Sequence, residues 1–243
     1  MLPASLSAEV LAMAGFDWVC IDLQHGLMSY AEAREQLVAL DAHRVPSLVR
    51  VSWNEPPLIM RMLDAGAAGV IVPMVSSAKE AAAAASACRY PPRGSRSWGP
   101  TRVNEHWSLD SAETTDEALC VVMVETNEAV AVVEEIAGVE GVDAIFVGPR
   151  DLALSGSRVA EAERAREDEL MARVVQACKA TGVTAGIACE SEKSVEKWFA
   201  AGFRMFGLRS DVRLLREAAR TMVHETSRLL PRSTSEPWPG PEQ

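Results

Sequence analysis

Two short, unbroken apolar runs constrain this chain more than anything else in it. Val121-Val122-Met123-Val124 delivers Glu125, and Ala144-Ile145-Phe146-Val147 delivers Gly148-Pro149-Arg150-Asp151. Each run is four residues long and rich in β-branched side chains, as expected of a strand buried on both faces in a parallel sheet. Similar runs recur at residues 16–21, 46–51, 69–73, 184–188 and 205–208, separated by stretches with helical spacing. That makes seven strand–helix alternations without a hairpin, which points to a parallel sheet covered by helices. A length of 243 residues then suggests a closed (β/α)8 barrel. An eighth strand would have to precede the helix at residues 3–14, where only residues 1–5 are available, so the first strand is expected to be missing or truncated.

Further helices are expected at residues 29–42, 53–64, 77–87, 127–137, 161–181, 191–200 and 211–229, with a helical piece at 111–117. Residues 89–104 form the longest irregular stretch, and loops of that length are usually functional. Residues 1–229 therefore read as one barrel domain, followed by a disordered Pro/Ser-rich tail at 230–243. A net charge of −10 with no basic run argues against nucleic acid or an anionic membrane as partner. Five widely spaced cysteines, without a CxxC pair, suggest reduced thiols in a cytoplasmic protein, and no apolar run reaches membrane-spanning length.

In parallel α/β folds the ligand face lies at the carboxyl ends of the strands. The polar residues just beyond those ends are Asp22 and His25, Arg50, Glu125 and Asp151. Each also has a modest structural reading: Glu125 and Asp151 as helix or turn caps, His25 as a hydrogen-bonded histidine with Asp22 as partner, Arg50 as half of an ion pair. Taken together they are the parts needed to make an enolate. Two carboxylates suit a hard divalent cation with open positions, Arg50 would neutralise a 2-oxo acid, and His25 would exchange protons near neutral pH.

Several motifs fall in order and with consistent spacing: Asp22-Leu23-Gln24-His25-Gly26, Val49-Arg50-Val51-Ser52-Trp53-Asn54-Glu55-Pro56, Leu63-Asp64-Ala65-Gly66-Ala67, Arg89-Tyr90-Pro91-Pro92-Arg93-Gly94, Val124-Glu125-Thr126 and Gly148-Pro149-Arg150-Asp151-Leu152. Together they resemble the HpcH/HpaI aldolases, class II pyruvate aldolases, over nearly the whole chain to about residue 222. The resemblance implies a barrel of the phosphoenolpyruvate/pyruvate type, assembled as a hexamer (a trimer of dimers) with the last helix exchanged between subunits. It implies a carbon–carbon lyase that uses Mg²⁺, Mn²⁺ or Co²⁺, held by Glu125 and Asp151, to join or release pyruvate and an aldehyde as a 4-hydroxy-2-oxo acid. Arg50 would bind the pyruvate oxygen and His25 would be catalytic. Asp22 and Asp64 would support it, one of them from a neighbouring subunit. Met123, Pro149 and Arg150 would line the substrate pocket.

The chain also departs from that family. Met123 stands where glutamine is usual and cannot replace its amide hydrogen bonds. Gln24 replaces a frequent glutamate, Arg150 occupies a position that is usually small, and Ser155-Gly156-Ser157-Arg158 departs from the usual loop. These changes imply a retained enolate machinery with an altered acceptor pocket. They leave two alternatives: an enzyme resembling macrophomate synthase, which decarboxylates oxaloacetate and adds the enolate to another acceptor, and a catalytically silent barrel.

Overall fold

The computed structural model describes residues 2–107, 117–155 and 160–229. The expected helix at 111–117, most of the loop 155–158 and the tail 230–243 lie largely or wholly outside these residues. The strands are β1 (Val19–Asp22), β2 (Ser47–Arg50), β3 (Gly69–Val72), β4 (Leu119–Val124), β5 (Ala144–Val147), β6 (Thr184–Ala188) and β7 (Met205–Gly207). All are parallel and pair in sequence order, so β1 and β7 are the edges of a nearly closed TIM-type barrel.

The helices of the barrel unit are α1 (Ser5–Met13), α2 (Tyr30–Ala42), α3 (Pro56–Asp64), α4 (Ala78–Cys88), α5 (Thr101–Trp107), α6 (Asn127–Ala131), α7 (Val133–Ala137), α8 (Pro149–Leu154), α9 (Ala160–Thr181) and α10 (Glu192–Ala201). Side-chain oxygens of Ser77, Thr126 and Ser191 accept the free N–H groups that open α4, α6 and α10. The chain divides into two compact units, residues 1–208 and 209–243. In the second, α11 (Asp211–Leu229) spans the stretch expected to be the final helix.

Two expectations change. Residues 127–137 form two short helices, because Val132 leaves helical geometry at φ −124°, ψ 22°. Helix α5 begins inside the stretch read as irregular. Residues 2–4 form no strand, in line with the expected missing or truncated first strand; the carbonyls of Leu2 and Ala4 accept from the buried Gln36 side chain.

Period-2 alternation separates two apolar layers. Leu48, Ile71, Val121, Met123, Ala144 and Phe146 point into the barrel and pack as one cluster. Their neighbours Val49, Val70, Val72, Val122, Val124, Ile145 and Val147 point outward and join the helices in the larger core. Burying each such branched side chain contributes about 1.5–3 kcal/mol. Gly186 and Gly207 make room for Phe146: an added Cβ would stand 2.7 Å from its Cδ2 at Gly186 and 2.8 Å from its Cζ at Gly207. The aromatic ring thus occupies the space between β5 and β7. No helix among the described residues is long and apolar enough to cross a membrane.

Candidate active site

At the carboxyl end of β1 and β2 the register sets Asp22 beside Arg50. Arg50 Nε donates to Asp22 Oδ1 at 2.8 Å and its terminal nitrogen to Oδ2 at 2.6 Å, a two-pronged pair. Asp22 Oδ1 also accepts the backbone N–H of Gln24 at 3.0 Å and of His25 at 3.3 Å. Burial pulls the Asp22 carboxyl up, but Arg50 and these two N–H groups outweigh it and hold it below the usual carboxylate range. Asp22 therefore orders the backbone of His25, while its side chain serves Arg50; the imidazole itself is exposed. Gly26 permits this tight turn, since an added Cβ would run into the Asp22 carbonyl oxygen.

Glu125 follows β4 and is 2% exposed. It is not the cap of α6, a role taken by Thr126. Glu125 Oε1 instead accepts the N–H of Met74 at 2.8 Å, and Met74 holds that N–H in place with a left-handed backbone, φ +56°. On its other side Oε2 lies against Gly148, where an added Cβ would stand 2.6 Å away. Burial pushes the Glu125 carboxyl above its usual range; Met74 and Arg50 oppose this, and the Asp151 carboxyl, which also shares a hydrogen bond with Glu125, adds to it.

Asp151 lies exposed in the first turn of α8, which Gly148 and Pro149 open without a side-chain cap. Asn127 ties the two carboxylate-bearing loops together, donating from its backbone to Ser155 Oγ at 3.1 Å and from its side chain to the Ser155 carbonyl at 2.9 Å. Below the carboxylates, buried Met123 closes the floor toward the barrel interior.

This donor set fits a hard cation. Glu125 and Asp151 are adjacent carboxylates; Arg50 is committed to Asp22 and Arg150 is paired with Glu190, so their joint charge lacks a dedicated partner among these groups. No cluster of three or more His, Cys, Asp or Glu side chains suited to a metal occurs among the described residues. Two carboxylates with the remaining positions open is an arrangement typical of Mg²⁺-like ions. Cysteine chemistry is disfavoured below the rim, where burial, with Asp22 nearby, pushes the Cys20 thiol up to about 12.

Of the residues singled out in sequence, Asp22, Arg50, Glu125, Met123, Pro149, Arg150 and Asp151 gather around this rim, with exposed His25 on the loop beyond β1. Asp64 does not join them within this chain. It ends α3, which runs back toward the opposite end of the sheet, and pairs with the buried Arg96 at 2.7 Å. There it borders an open recess of about 870 Å³ between α2, α3 and α5. Three contributors went unread in sequence: the Met74 backbone, Gly148 and Glu190. Glu190 carried a usable signal, because it lies two residues past the end of β6, at the same end of the sheet as Glu125.

A parallel barrel whose carboxyl rim brings paired carboxylates and a held arginine together has the layout of an α/β barrel enzyme. The comparisons agree. The family model for HpcH/HpaI aldolase/citrate lyase matches residues 3–218, and the chain belongs to that family of aldolases and carbon–carbon lyases. It is 36% identical over 231 residues to the hydroxypyruvate/pyruvate aldolase of Rhizorhabdus wittichii, covering 94% of this chain and 92% of the relative. Against the 4-hydroxy-2-oxo-heptane-1,7-dioate aldolase of Klebsiella pneumoniae it is 33% identical over 226 residues, covering 91% and 85%. The crystal structure of an HpcH/HpaI aldolase/citrate lyase family protein from Burkholderia cenocepacia superposes with a TM-score of 0.86 at 34% identity, covering 93% of this chain and 91% of that one.

Proposed function

We propose that this protein is a divalent-cation-dependent aldolase that forms or cleaves a 4-hydroxy-2-oxo acid through the enolate of pyruvate. The observation that carries this reading is the buried Glu125 carboxylate, set against Asp151 with both nearby arginines engaged elsewhere. Relatives named for hydroxypyruvate, pyruvate and 4-hydroxy-2-oxo-heptane-1,7-dioate support a 2-oxo acid as donor.

Glu125 and Asp151 would hold the cation, with Mg²⁺, Mn²⁺ and Co²⁺ as candidates. When bound, it supplies Lewis-acid polarisation of the 2-oxo group. Arg50 binds the anionic oxygens of the donor, and Asp22 fixes its guanidinium plane so that little reorganisation accompanies binding. His25, on the turn that Asp22 orders, moves the proton on the aldehyde side of the reaction. Met123 and Pro149 line the donor pocket. Asp64 belongs to this reading only through a neighbouring copy, consistent with a homo-oligomer and, by resemblance, a hexamer.

Exchange of the pyruvate methyl protons with deuterated water tests the donor half-reaction without knowledge of the aldehyde. Exchange is expected with added cation, to stop with EDTA and to fall at least tenfold in Arg50→Ala. Glu125→Gln and Asp151→Asn are each expected to weaken cation affinity at least tenfold by titration calorimetry; unchanged affinity in both would reject them as ligands.

A further inference from the structure

Directly beneath the charged rim lies a layer of side chains that the donor chemistry leaves unused. Two residues before Asp22, Arg50, Glu125 and Gly148 come Cys20, Leu48, Met123 and Phe146, so each inward-facing side chain underlies a rim position. The register sets Cys20 opposite Leu48 and Met123 opposite Phe146, and the four pack in one apolar cluster. Met123 is central to it. Its Cε lies 3.4 Å from the Cβ position of Gly148, and that same point stands 2.6 Å from Glu125 Oε2, so thioether and carboxylate are neighbours across Gly148. Among these four side chains the one hydrogen-bonding donor is the Cys20 thiol, and it is turned to the Ile21 carbonyl at 3.8 Å. The rim is thus made for anionic oxygens, and the layer under it offers a hydroxyl nothing better than the weak acceptor of a thioether.

We infer that Met123 selects the donor by its C3 substituent, favouring 2-oxo acids whose carbon chain is apolar over 3-hydroxypyruvate. The inference rests on the aldolase reading above and adds to it the class of donor. A 2-oxo acid held at its oxygens by the rim turns the rest of its skeleton to this layer. A methyl or ethyl group there gains from leaving water and from contact with a polarizable thioether. A C3 hydroxyl gives up its water and finds no matching partner. Apolar surroundings discriminate against an added hydroxyl by up to about a hundredfold. Methionine and glutamine side chains have nearly the same length, so replacing one by the other exchanges a thioether for an amide with little change in volume.

The test follows exchange of C3 protons with deuterated water in the holoenzyme loaded with Mg²⁺ or Mn²⁺, without acceptor, for pyruvate, 2-oxobutanoate and hydroxypyruvate. The last two are nearly equal in size and differ by a methyl against a hydroxyl. KM is the quantity compared, because the hydroxyl also alters the acidity of C3. In the wild-type protein KM is expected to be about tenfold or more lower for 2-oxobutanoate than for hydroxypyruvate. Met123→Gln should shrink that ratio about tenfold, and Met123→Leu should keep it. Equal KM values in the wild type would overturn the inference, as would exclusion of both longer donors, which makes size the filter. An unchanged ratio in Met123→Gln that retains the wild-type Tm would overturn it too; should that variant not fold, the wild-type comparison decides alone. Pyruvate exchange separates this failure from the larger one: exchange without the expected preference rejects only the role of Met123, and no exchange with pyruvate rejects the aldolase reading together with it.

Discussion

At the scale of single residues the site rests on close polar contacts, and substitutions there should separate stability from chemistry. Asp22 is mostly buried and holds Arg50 with two hydrogen bonds, so Asp22→Asn leaves a buried guanidinium poorly matched. A cost of about 2 kcal/mol is expected, read as a fall in Tm of about 4–8 °C at pH 7. The pH dependence follows from the direction of the shift. The folded carboxyl is held below its unfolded value, so its contribution is complete above the ordinary carboxylate range and is lost as pH falls through the depressed folded value. The difference in Tm between wild type and Asp22→Asn should accordingly narrow toward acid; a difference constant with pH would contradict the assignment. Gly148→Ala should act in the opposite sense. Its Cβ would push Glu125 Oε2 off the position that the Met74 N–H defines, so cation affinity should drop about tenfold by calorimetry with little change in Tm. The positions of Glu125 and Arg50 at the rim were legible in sequence because strand ends can be counted. The partner of Asp22 was not, since a turn offers its carboxylate to Arg50 and to His25 alike, and only the β1–β2 register decides between them.

Among elements, every strand announced itself by its apolar run, and each helix that a Ser or Thr caps began close to where the pattern placed it. The misreadings have local causes. Val132 breaks the helix after β4 although no Gly or Pro marks the spot, and α5 starts within a Pro- and Gly-rich stretch that propensity alone reads as loop. The interior of the barrel was the least legible part. Phe146 looks like any core aromatic in sequence, yet it is fitted against glycines on the next two strands, β6 and β7. Gly186→Ala should cost about 1–3 kcal/mol by overpacking. Combining it with Phe146→Leu should recover part of that loss, and denaturant unfolding of the double-mutant cycle measures the coupling. Simple additivity would show that the ring and the glycine do not meet.

For the whole molecule, α11 carries its own expectation. Val212, Leu215, Met222, Val223 and Leu229 recur at helical spacing between arginines and glutamates, and Leu215, Met222 and Leu229 are 62%, 69% and 81% exposed. We expect a second copy of the chain to cover this stripe. Light scattering after size exclusion should report an oligomer, and Leu215→Glu with Met222→Glu should reduce its mass; a wild-type monomer across a dilution series would rule this out. The packed interior of the barrel bears on traffic as well as on stability. Met123 and Phe146 close the bore beneath the rim, so whatever enters must leave by the same mouth. Arg50 is the less exposed of the two rim arginines, so an acceptor that enters after the donor stands over the way to it. Turnover then has a fixed queue: the 2-oxo acid arrives first and departs last, and at saturating aldehyde it becomes trapped. Steady-state kinetics should accordingly be ordered, with the aldehyde slowing release of labelled pyruvate from the enzyme.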